Sequence, residues 1–288
     1  MKSDTAPRFF RPTAHILVIL ALTLSLGQPA QPAQAAQAAE RLVMASTTSL
    51  QNSGLFEVLL PAFERRSGIP VHVIAVGTGQ ALALARRGDA DLVFVHDPEA
   101  EEQFVREGFG LERRQVMYND FVLVGPPADP AGARGKDGLA AFRKLAAKGF
   151  PFVSRGDDSG THRRERDLWR RADATPKGPT YLEIGQGMEQ TLRVADEKRL
   201  YTLTDRGTWL ATRERDRFTL QVLVEGDPLL HNQYSVIALN PAKHPHVKAK
   251  EAKSFVDWVV SPEAQALIGG FRDRQGNQLF IPNAKQAP

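Results

Sequence analysis

One segment near the middle of the chain combines a guanidinium, hydroxyls and glycines: Ser154, Arg155, Gly156, Asp157, Asp158, Ser159, Gly160, Thr161 and His162. It follows the apolar run 152–154, which predicts a short strand, and precedes a stretch with helical spacing. A helix start leaves its first backbone N–H groups without partners and carries a partial positive charge. With Asp158 as N-cap, the amides of residues 159–161 point outward beside Arg155. The segment therefore predicts an anion-binding site.

Two further residues of this segment have predicted roles. Gly160 has no side chain, so a ligand can approach its backbone closely. Asp157 stands two residues after Arg155 and is expected to orient its guanidinium. The alternative interpretation is an ordinary capped helix with an exposed ion pair that binds no ligand.

Two smaller clusters of hydroxyl and glycine residues follow the first two predicted strands. The first cluster comprises Ser46, Thr47, Thr48 and Ser49, and the second comprises Gly77 and Thr78. Loops at the carboxyl ends of strands and ahead of helices commonly bind anions. Simple N-capping is the alternative for either cluster alone. Together with residues 154–162, the clusters predict a tetrahedral dianion held by donors on two sides of a cleft.

Short apolar runs alternate with helical patterns along most of the chain. Strands are predicted at 42–45, 71–76 and 91–95, in a run that ends near 119, in another at 119–124, and at 152–154. Helices are predicted at 55–63, 79–87, 98–107, 139–147 and from about 159 onward. This alternation is typical of an α/β fold whose mostly parallel sheets are flanked by helices. Such a sheet places the three polar clusters at strand ends.

Two segments of the sequence resemble each other. Asn119 and Asn232 each begin a stretch of Asn, a polar residue, an aromatic residue and then a strand. Matching strands predict a two-stranded hinge between two lobes, although two ordinary strands could also share this pattern by chance. Lobe 1 then comprises residues 39–119, lobe 2 comprises 120–231, and residues 232–288 return to lobe 1 and add C-terminal helices.

The first 38 residues have the features of a signal peptide. Arg8 and Arg11 precede the apolar run 14–26, and overlapping A-x-A patterns allow cleavage after Ala35 or Ala38. A retained membrane anchor is the alternative. The chain contains no cysteine, so neither disulfides nor a lipoprotein anchor is expected. We expect a periplasmic protein that diffuses freely.

Composition and motifs argue against several other functions. The formal net charge is only +4, and basic residues alternate with acidic ones, so nucleic-acid binding is not expected. Ser159 and His162 could suggest a secreted hydrolase, but they share one helical turn and no G-x-S-x-G pattern surrounds the serine. The histidines at 96, 162 and 231 lack metal-ligand spacing. We therefore expect a binding protein, with neither an enzymatic activity nor a directly coordinated metal.

The motifs resemble those of a known family, the exported tungstate-binding components of ABC importers. Its T-T-T-S segment matches residues 46–49, its S-R-G-D-x-S-G-T-H segment matches 154–162, and its Y-T-L-x-D-R-x-T segment matches 201–208. The resemblance extends from Arg41 to Pro282. The one departure within T-T-T-S is Ser46, which keeps a hydroxyl in place of the family's first threonine.

The resemblance implies a two-lobed periplasmic-binding-protein fold of type II, with an anion held between the lobes. It assigns hydroxyl and amide donors on one lobe to Ser46, Thr47 and Ser49. It assigns the donors on the other lobe to Arg155, Ser159, Gly160 and Thr161. We add Thr48, Gly77 and Thr78 to the predicted site because they belong to the same clusters. The implied partners are the permease and ATPase subunits of an ABC importer, and we expect a monomer with no cofactor.

Phosphate is the main alternative ligand, because phosphate-binding importers carry a similar R-S-D-G-S-G-T segment. Phosphate keeps a proton near neutral pH and benefits from an acceptor, whereas tungstate and molybdate need donors only. An Asp157 that faces the ligand would favour phosphate, and an Asp157 turned onto Arg155 would favour a metal oxyanion. The donor-rich residues 46–49 favour tungstate, and molybdate fits the same pattern.

Overall fold

The computed structural model describes residues 41–176, 178–213 and 215–284, so the predicted signal peptide lies outside the described residues. The strands are β1 (Leu42–Thr47), β2 (Val71–Val76), β3 (Leu92–Val95), β4 (Gly110–Gly125), β5 (Phe152–Ser154), β6 (Tyr181–Glu183), β7 (Thr202–Asp205), β8 (Gln221–Val224), β9 (His231–Leu239) and β10 (Ile281–Pro282). The helices are α1 (Thr48–Asn52), α2 (Phe56–Ser67), α3 (Thr78–Arg87), α4 (Pro98–Arg106), α5 (Gly138–Ala147), α6 (Gly160–Arg171), α7 (Met188–Lys198), α8 (Arg206–Arg213), α9 (Ala249–Val259) and α10 (Pro262–Gly270). In this part of the chain, every helix is too short or too polar to cross a membrane.

The first three strands form one of the two parallel parts of the fold. β1 pairs with β2 on one side and with β3 on the other, both in parallel. Parallel neighbours need a crossover connection, which α1 and α2 supply between β1 and β2, and α3 supplies between β2 and β3. The carboxyl ends of these strands therefore lie at one edge of the sheet.

The long strand β4 connects two sheets. Its residues 110–120 pair with β9, in the strand order β10-β4-β9-β3-β1-β2. Its last residues, 121–125, pair instead with β7 and β8. The predicted strand at 119–124 is thus the end of one continuous strand of 16 residues.

The α/β fold with sheets flanked by helices is confirmed, and only the strand directions differ from expectation. β1, β2 and β3 are parallel, as are β5 and β6, but every pairing that involves β4 or β9 is antiparallel. The reason is topological, because one strand leaves the first half of the fold while the other returns to it. The two sheets that share β4 are therefore not mostly parallel, whereas the separate β5–β6 pair is parallel throughout.

The two segments that resemble each other in sequence pair with each other in space. Asn119 of β4 lies opposite Asn232 of β9, and the side-chain amide of Asn232 donates to the Asn119 Oδ1 at 2.8 Å. Both residues are buried. Their similarity therefore reflects matched positions in one antiparallel pair at the point where the chain passes between the sheets.

Apolar side chains form separate clusters in the two halves of the fold and a third that spans them. One cluster of buried residues is built entirely from residues 121–230, and another from residues 45–104 together with 237–247. The largest cluster combines side chains from both halves of the fold, such as Leu42 and Met188. Each half thus has a core of its own, and shared packing holds the two halves together.

Candidate functional site

The three polar clusters lie where strands lead into helices. β1 leads directly into α1, β2 reaches α3 through Gly77 alone, and β5 reaches α6 through residues 155–159. Because β1 and β2 run in parallel with Thr47 opposite Val76, the first two loops open at the same edge of the sheet. The third loop comes from the other half of the fold.

Two glycines allow the starts of α3 and α6 to meet. A Cβ added to Gly77 would lie 3.6 Å from the Cα of Ser159. One added to Gly160 would lie 3.1 Å from the Thr78 Oγ1 and 3.4 Å from the His96 ring. The Gly77 distance is an ordinary van der Waals contact, whereas the Gly160 distance to Thr78 is tight. The backbone of Gly160, where close approach of a ligand was predicted, is therefore approached by the Thr78 hydroxyl.

The loop before α6 has a constrained backbone. Gly156 has a φ of 62° and faces Glu183, and an added Cβ would lie 2.8 Å from the Glu183 Cβ. Asp158 also has a positive φ, 54°, whereas an N-cap requires extended geometry. Ser159 has that geometry, and its Oγ accepts a hydrogen bond from the His162 amide at 3.3 Å. The prediction that Asp158 caps the helix is therefore wrong by one residue.

Arg155 joins the two sides of the site. Only 3% of its surface is exposed. Its Nε and Nη2 donate to the Asp157 Oδ2 at 3.2 and 2.6 Å, and its Nη1 donates to the Ser49 Oγ at 3.3 Å. The predicted orienting role of Asp157 is confirmed. A buried positive charge is thus held in place between the loop before α6 and the start of α1.

Asp157 uses both of its carboxylate oxygens within the loop. Its Oδ1 accepts a hydrogen bond from the Ser159 amide at 3.2 Å, while its Oδ2 accepts from Arg155. Burial would raise the pKa of Asp157, but the charge and hydrogen bonds of Arg155 outweigh burial and lower it. Asp157 is therefore ionised at neutral pH. Because the Ser159 amide already donates to Asp157, the amides at the start of α6 that stay free for a ligand are those of residues 160 and 161.

Three threonine hydroxyls in these loops have no partner within the described residues. They are the buried Oγ1 atoms of Thr48, Thr78 and Thr161. Each threonine is the first or second residue of its helix. Buried hydroxyls are nearly always hydrogen-bonded, and an unmade bond costs about 1–3 kcal/mol. Thr48 adjoins Ser49, which Arg155 contacts, and Thr78 meets Gly160, which precedes Thr161. The three hydroxyls thus lie on helices whose starts meet at the loop before α6.

The remaining hydroxyls of the first cluster support the loop. The Ser46 hydroxyl donates to the Phe94 carbonyl in β3 at 2.7 Å and is completely buried. Thr47 caps α1, since its Oγ1 accepts from the Leu50 amide at 3.2 Å. The Ser46 hydroxyl, expected to be a ligand donor, is therefore committed to the neighbouring strand. The Thr47 hydroxyl hydrogen remains available as a donor.

Sequence reasoning missed two contributors to this arrangement. Gly187 is the N-cap of α7, and a Cβ added to it would lie 3.9 Å from the Thr48 Oγ1. The Gly-x-Gly pattern at 185–187, ahead of a helical stretch, was the available signal. Thr208 donates its hydroxyl to the Ser49 carbonyl at 3.4 Å, and it belongs to the third motif of the family resemblance.

A buried histidine connects the wall of the site to the β4/β9 pair. His96 stacks on Tyr234 with ring centroids 4.6 Å apart, and its Nδ1 lies 2.9 Å from the Asn232 Oδ1. Burial lowers the pKa of His96, so its imidazole is neutral near pH 7. Asn232 in turn bonds Asn119. The strands that connect the two sheets are thereby linked to the ring beside Gly160.

The arrangement does not support hydrolase chemistry. The His162 Nδ1 accepts a hydrogen bond from the Asp158 amide at 3.0 Å, and the Ser159 Oγ accepts from the His162 amide. Burial first, and then the charge of Arg166, lowers the pKa of His162. Both side chains therefore shape the loop, and the imidazole does not activate the serine. The described residues also contain no group of three or more His, Cys, Asp and Glu side chains suited to hold a metal ion.

Comparisons with known proteins found a matching family model and similar relatives. A model of the PBP superfamily domain matches residues 30–263. The tungstate-binding protein TupA of Peptoclostridium acidaminophilum is 44% identical, over 94% of this chain and 96% of its own length.

Two solved structures are also similar. The tungstate-binding protein TupA from Desulfovibrio alaskensis G20 has a TM-score of 0.74 and 48% identity, covering 85% of this chain and 99% of that one. The tungstate ABC transporter structure from Geobacter sulfurreducens has a TM-score of 0.74 and 51% identity, covering 81% and 99%. The chain therefore belongs to the PBP superfamily and, within it, to the family of the tungstate-binding protein TupA.

Proposed function

We propose that this chain is a solute-binding protein that captures tungstate outside the cytoplasm and delivers it to an ABC importer. Its similarity to tungstate-binding proteins over most of its length supports this function. The observation that carries the proposal is the set of buried hydroxyls of Thr48, Thr78 and Thr161, which have no partner among the described residues. They lie on the three helices whose starts meet at the loop that carries Arg155. These groups can donate to the oxygens of one small anion. The role is binding rather than catalysis, as in the relatives named for transport.

The hydrogen bonds of Asp157 favour a fully deprotonated anion. Both carboxylate oxygens accept hydrogen bonds from Arg155 and Ser159. Hydrogenphosphate would bring a proton that needs an acceptor, and this carboxylate is already engaged. Tungstate and molybdate carry no proton at neutral pH and need only donors. We therefore propose tungstate or molybdate over phosphate, and tungstate on the strength of the relatives.

We propose that the ligand lies between two lobes, which comprise residues 39–119 with 232–288, and residues 120–231. The change of strand partners in β4 between Asp120 and Phe121 supports this boundary. Arg155 contacts Ser49, and a Cβ added to Gly160 would lie 3.1 Å from the Thr78 Oγ1, so the two sides already meet in this structure and opening would separate them. X-ray scattering should then show a smaller radius of gyration with tungstate than without it. Equal radii would contradict closure without contradicting binding.

We propose that residues 1–38 are a cleaved signal peptide and that the mature chain is a periplasmic monomer without a lipid anchor. The sequence features of that segment support export. N-terminal sequencing of periplasmic material should begin at Ala36 or Ala39. Intact Met1 in the membrane fraction would contradict this proposal. The partners are the permease and ATPase subunits of the importer.

Calorimetric titration of the mature protein tests the ligand directly. Tungstate, molybdate, phosphate and sulfate should be titrated in the same buffer at neutral pH. We expect the two metal oxyanions to bind more tightly than phosphate, because the site offers donors only. We expect them to bind more tightly than sulfate, because sulfate is smaller and a cleft sized for tungstate would hold it loosely. Tighter binding of phosphate would contradict the proposed ligand while leaving an anion site in place.

A further inference from the structure

Arg163, on the second turn of α6, lies outside the proposed anion site but contacts both halves of the fold. Its Nε and Nη2 donate to the two carboxylate oxygens of Asp158 at 3.1 and 2.7 Å. Its Nη1 donates to the Asp97 Oδ2 at 3.3 Å. Asp158 belongs to the loop before α6, whereas Asp97 follows β3. One guanidinium thus bridges the proposed lobes.

Asp97 is held rigidly on its side of this bridge. It is the N-cap of α4, and its Oδ1 accepts from the Ala100 amide at 3.2 Å. Its own amide donates to the buried Glu101 carboxyl at 2.7 Å. The Asp97 side chain is only 14% exposed. Arg163 therefore meets a fixed carboxylate, and its bond to Asp97 depends on the separation between the lobes.

Gly79 makes room for this contact. It lies in the first turn of α3, and an added Cβ would lie 2.8 Å from the Arg163 Nη2 and 3.2 Å from the Asp158 Oδ2. The same Cβ would lie 3.3 Å from the Asp158 carbonyl oxygen. The Gly79 φ is outside the left-handed region, so its backbone accepts alanine. A glycine is required here only because Arg163 and Asp158 of the facing lobe leave no room for a side chain.

We propose that the Arg163–Asp97 pair is a latch that holds the lobes closed and sets how long the anion stays bound. The latch rests on the proposed function, because it acts only if the lobes close on a ligand. Arg163 is a positioning residue in this role, since it contacts Asp158 and Asp97 rather than the anion. The latch forms when the lobes meet, so it slows opening and has little effect on the first encounter with the anion.

The size of the effect follows from exposure. The Arg163 side chain is 35% exposed, so solvent screens the pair and limits its strength. A contribution of this kind corresponds to a change of about two- to fivefold in a rate constant. Higher salt should reduce the difference between parent and variant.

Three substitutions in the full mature chain test the latch. Asp97→Asn removes the charge but keeps an equally good N-cap and leaves the Arg163–Asp158 pair intact. Arg163→Gln removes the other partner. Gly79→Ala inserts a methyl group at the contact while improving the helix propensity of α3. The matched control is Arg87→Gln, which removes an exposed ion pair with Asp89 inside one proposed lobe.

Association and dissociation rates with tungstate should be measured by rapid mixing and by dilution with filtration, counting tungsten by mass spectrometry. We expect Asp97→Asn and Arg163→Gln to dissociate about two- to fivefold faster with unchanged association. We expect Gly79→Ala to dissociate faster although its melting temperature is unchanged or higher. Arg87→Gln should match the parent.

Two outcomes overturn the proposal in distinguishable ways. If the parent binds tungstate but Asp97→Asn and Arg163→Gln both dissociate at its rate, the latch is wrong and the proposed function stands. If the parent binds no tungstate, the proposed function is wrong and the latch falls with it.

Discussion

The two sides of the candidate site differ in the kind of donor that they provide. The side built on β1 and β2 provides neutral hydroxyls, and two of them, on Thr48 and Thr78, have no partner in the described part of the chain. The side built on β5 provides the buried guanidinium of Arg155 as well as the hydroxyl of Thr161. One side thus combines charge with hydrogen bonding, and the other contributes hydrogen bonding alone.

This difference suggests a division of roles. A positive charge attracts any anion, so Arg155 supplies affinity with limited discrimination. Neutral hydroxyls at fixed positions form good hydrogen bonds only with an anion whose oxygens match those positions. Asp157 keeps the guanidinium oriented and also offsets part of its charge. Substitutions on each side of the site separate the two contributions.

Arg155→Ala should have the largest effect. A charge-assisted hydrogen bond contributes about 1.5–3 kcal/mol, and a buried dianion that lacks a partner costs more. Tungstate binding should therefore weaken by at least about tenfold to a hundredfold, at 1.4 kcal/mol per decade. The tungstate affinity of Arg155→Lys should lie between those of Arg155→Ala and the parent, because lysine keeps the charge but loses the planar fork. Calorimetric titration provides the measurement.

The Arg155 variants need a control for folding. Loss of the guanidinium leaves the Asp157 carboxylate without its main partner, and this could unfold the loop. Circular dichroism should show the parent's secondary structure before affinities are compared. If folded Arg155→Ala binds tungstate as tightly as the parent, residues 154–162 form only a capped helix and the site assignment is wrong.

Thr161→Val should have a smaller effect on affinity and an unusual effect on stability. Loss of one neutral hydrogen bond costs about 0.5–1.5 kcal/mol, so tungstate should bind roughly two- to tenfold more weakly. The free protein should be as stable as the parent or more so, because the substitution removes a buried hydroxyl that has no partner among the described residues. Titration and urea unfolding of the same samples measure both quantities.

Thr202→Val is the matched control for this prediction. The Thr202 hydroxyl is buried and donates to the Val153 carbonyl at 2.8 Å. Its loss should destabilise the free protein by about 0.5–1.5 kcal/mol and leave tungstate affinity unchanged. If Thr161→Val instead loses stability and keeps its affinity, the Thr161 hydroxyl has a structural partner and is no ligand donor.

Much of the fold could be predicted from the sequence, because its short buried strands and amphipathic helices have clear periodicity. Strand direction could not, since the same apolar run fits a parallel or an antiparallel neighbour. β4 shows this well. Its two parts were predicted as separate segments, yet they form one strand that changes partners after Asp120. Pairing partners far apart in sequence leave no local signal.

The candidate site was predictable at the level of segments and less so at the level of atoms. Hydroxyl and glycine residues at strand ends identified residues 46–49, 77–78 and 154–161. The sequence could not show that Ser46 donates to β3, or that Ser159 rather than Asp158 caps α6. Those outcomes depend on the backbone angles of a loop and on a neighbouring strand. Gly187 was missed because its contact with Thr48 joins distant segments.

The smallest effect on affinity is expected beneath the charged side of the site, at Glu165. This residue is 2% exposed, and its Oε1 accepts hydrogen bonds from the Tyr181 hydroxyl at 2.7 Å and the Trp169 Nε1 at 3.0 Å. Burial outweighs these donors and raises the pKa of Glu165 to about 7. Glu165 supports the side of the site that is built on β5 and is not a proposed ligand residue. Glu165→Gln should therefore change tungstate affinity less than about twofold.

Glu165 should affect how the free energy of unfolding depends on pH. Its pKa is raised from an ordinary 4.5 to about 7 in the folded protein, so between these values the folded state holds a proton that the unfolded state has lost. Its contribution is therefore fully present below about pH 4.5 and is lost as the pH rises through 7, a decline of up to about 3 kcal/mol. Glu101, also with a pKa of about 7, adds a decline in the same direction. Glu165→Gln mimics the protonated side chain and should remove only the part of the stability decline that Glu165 causes. Urea unfolding of parent and variant at pH 5, 6, 7 and 8 measures the difference, and parallel profiles would show that Glu165 does not titrate in this range.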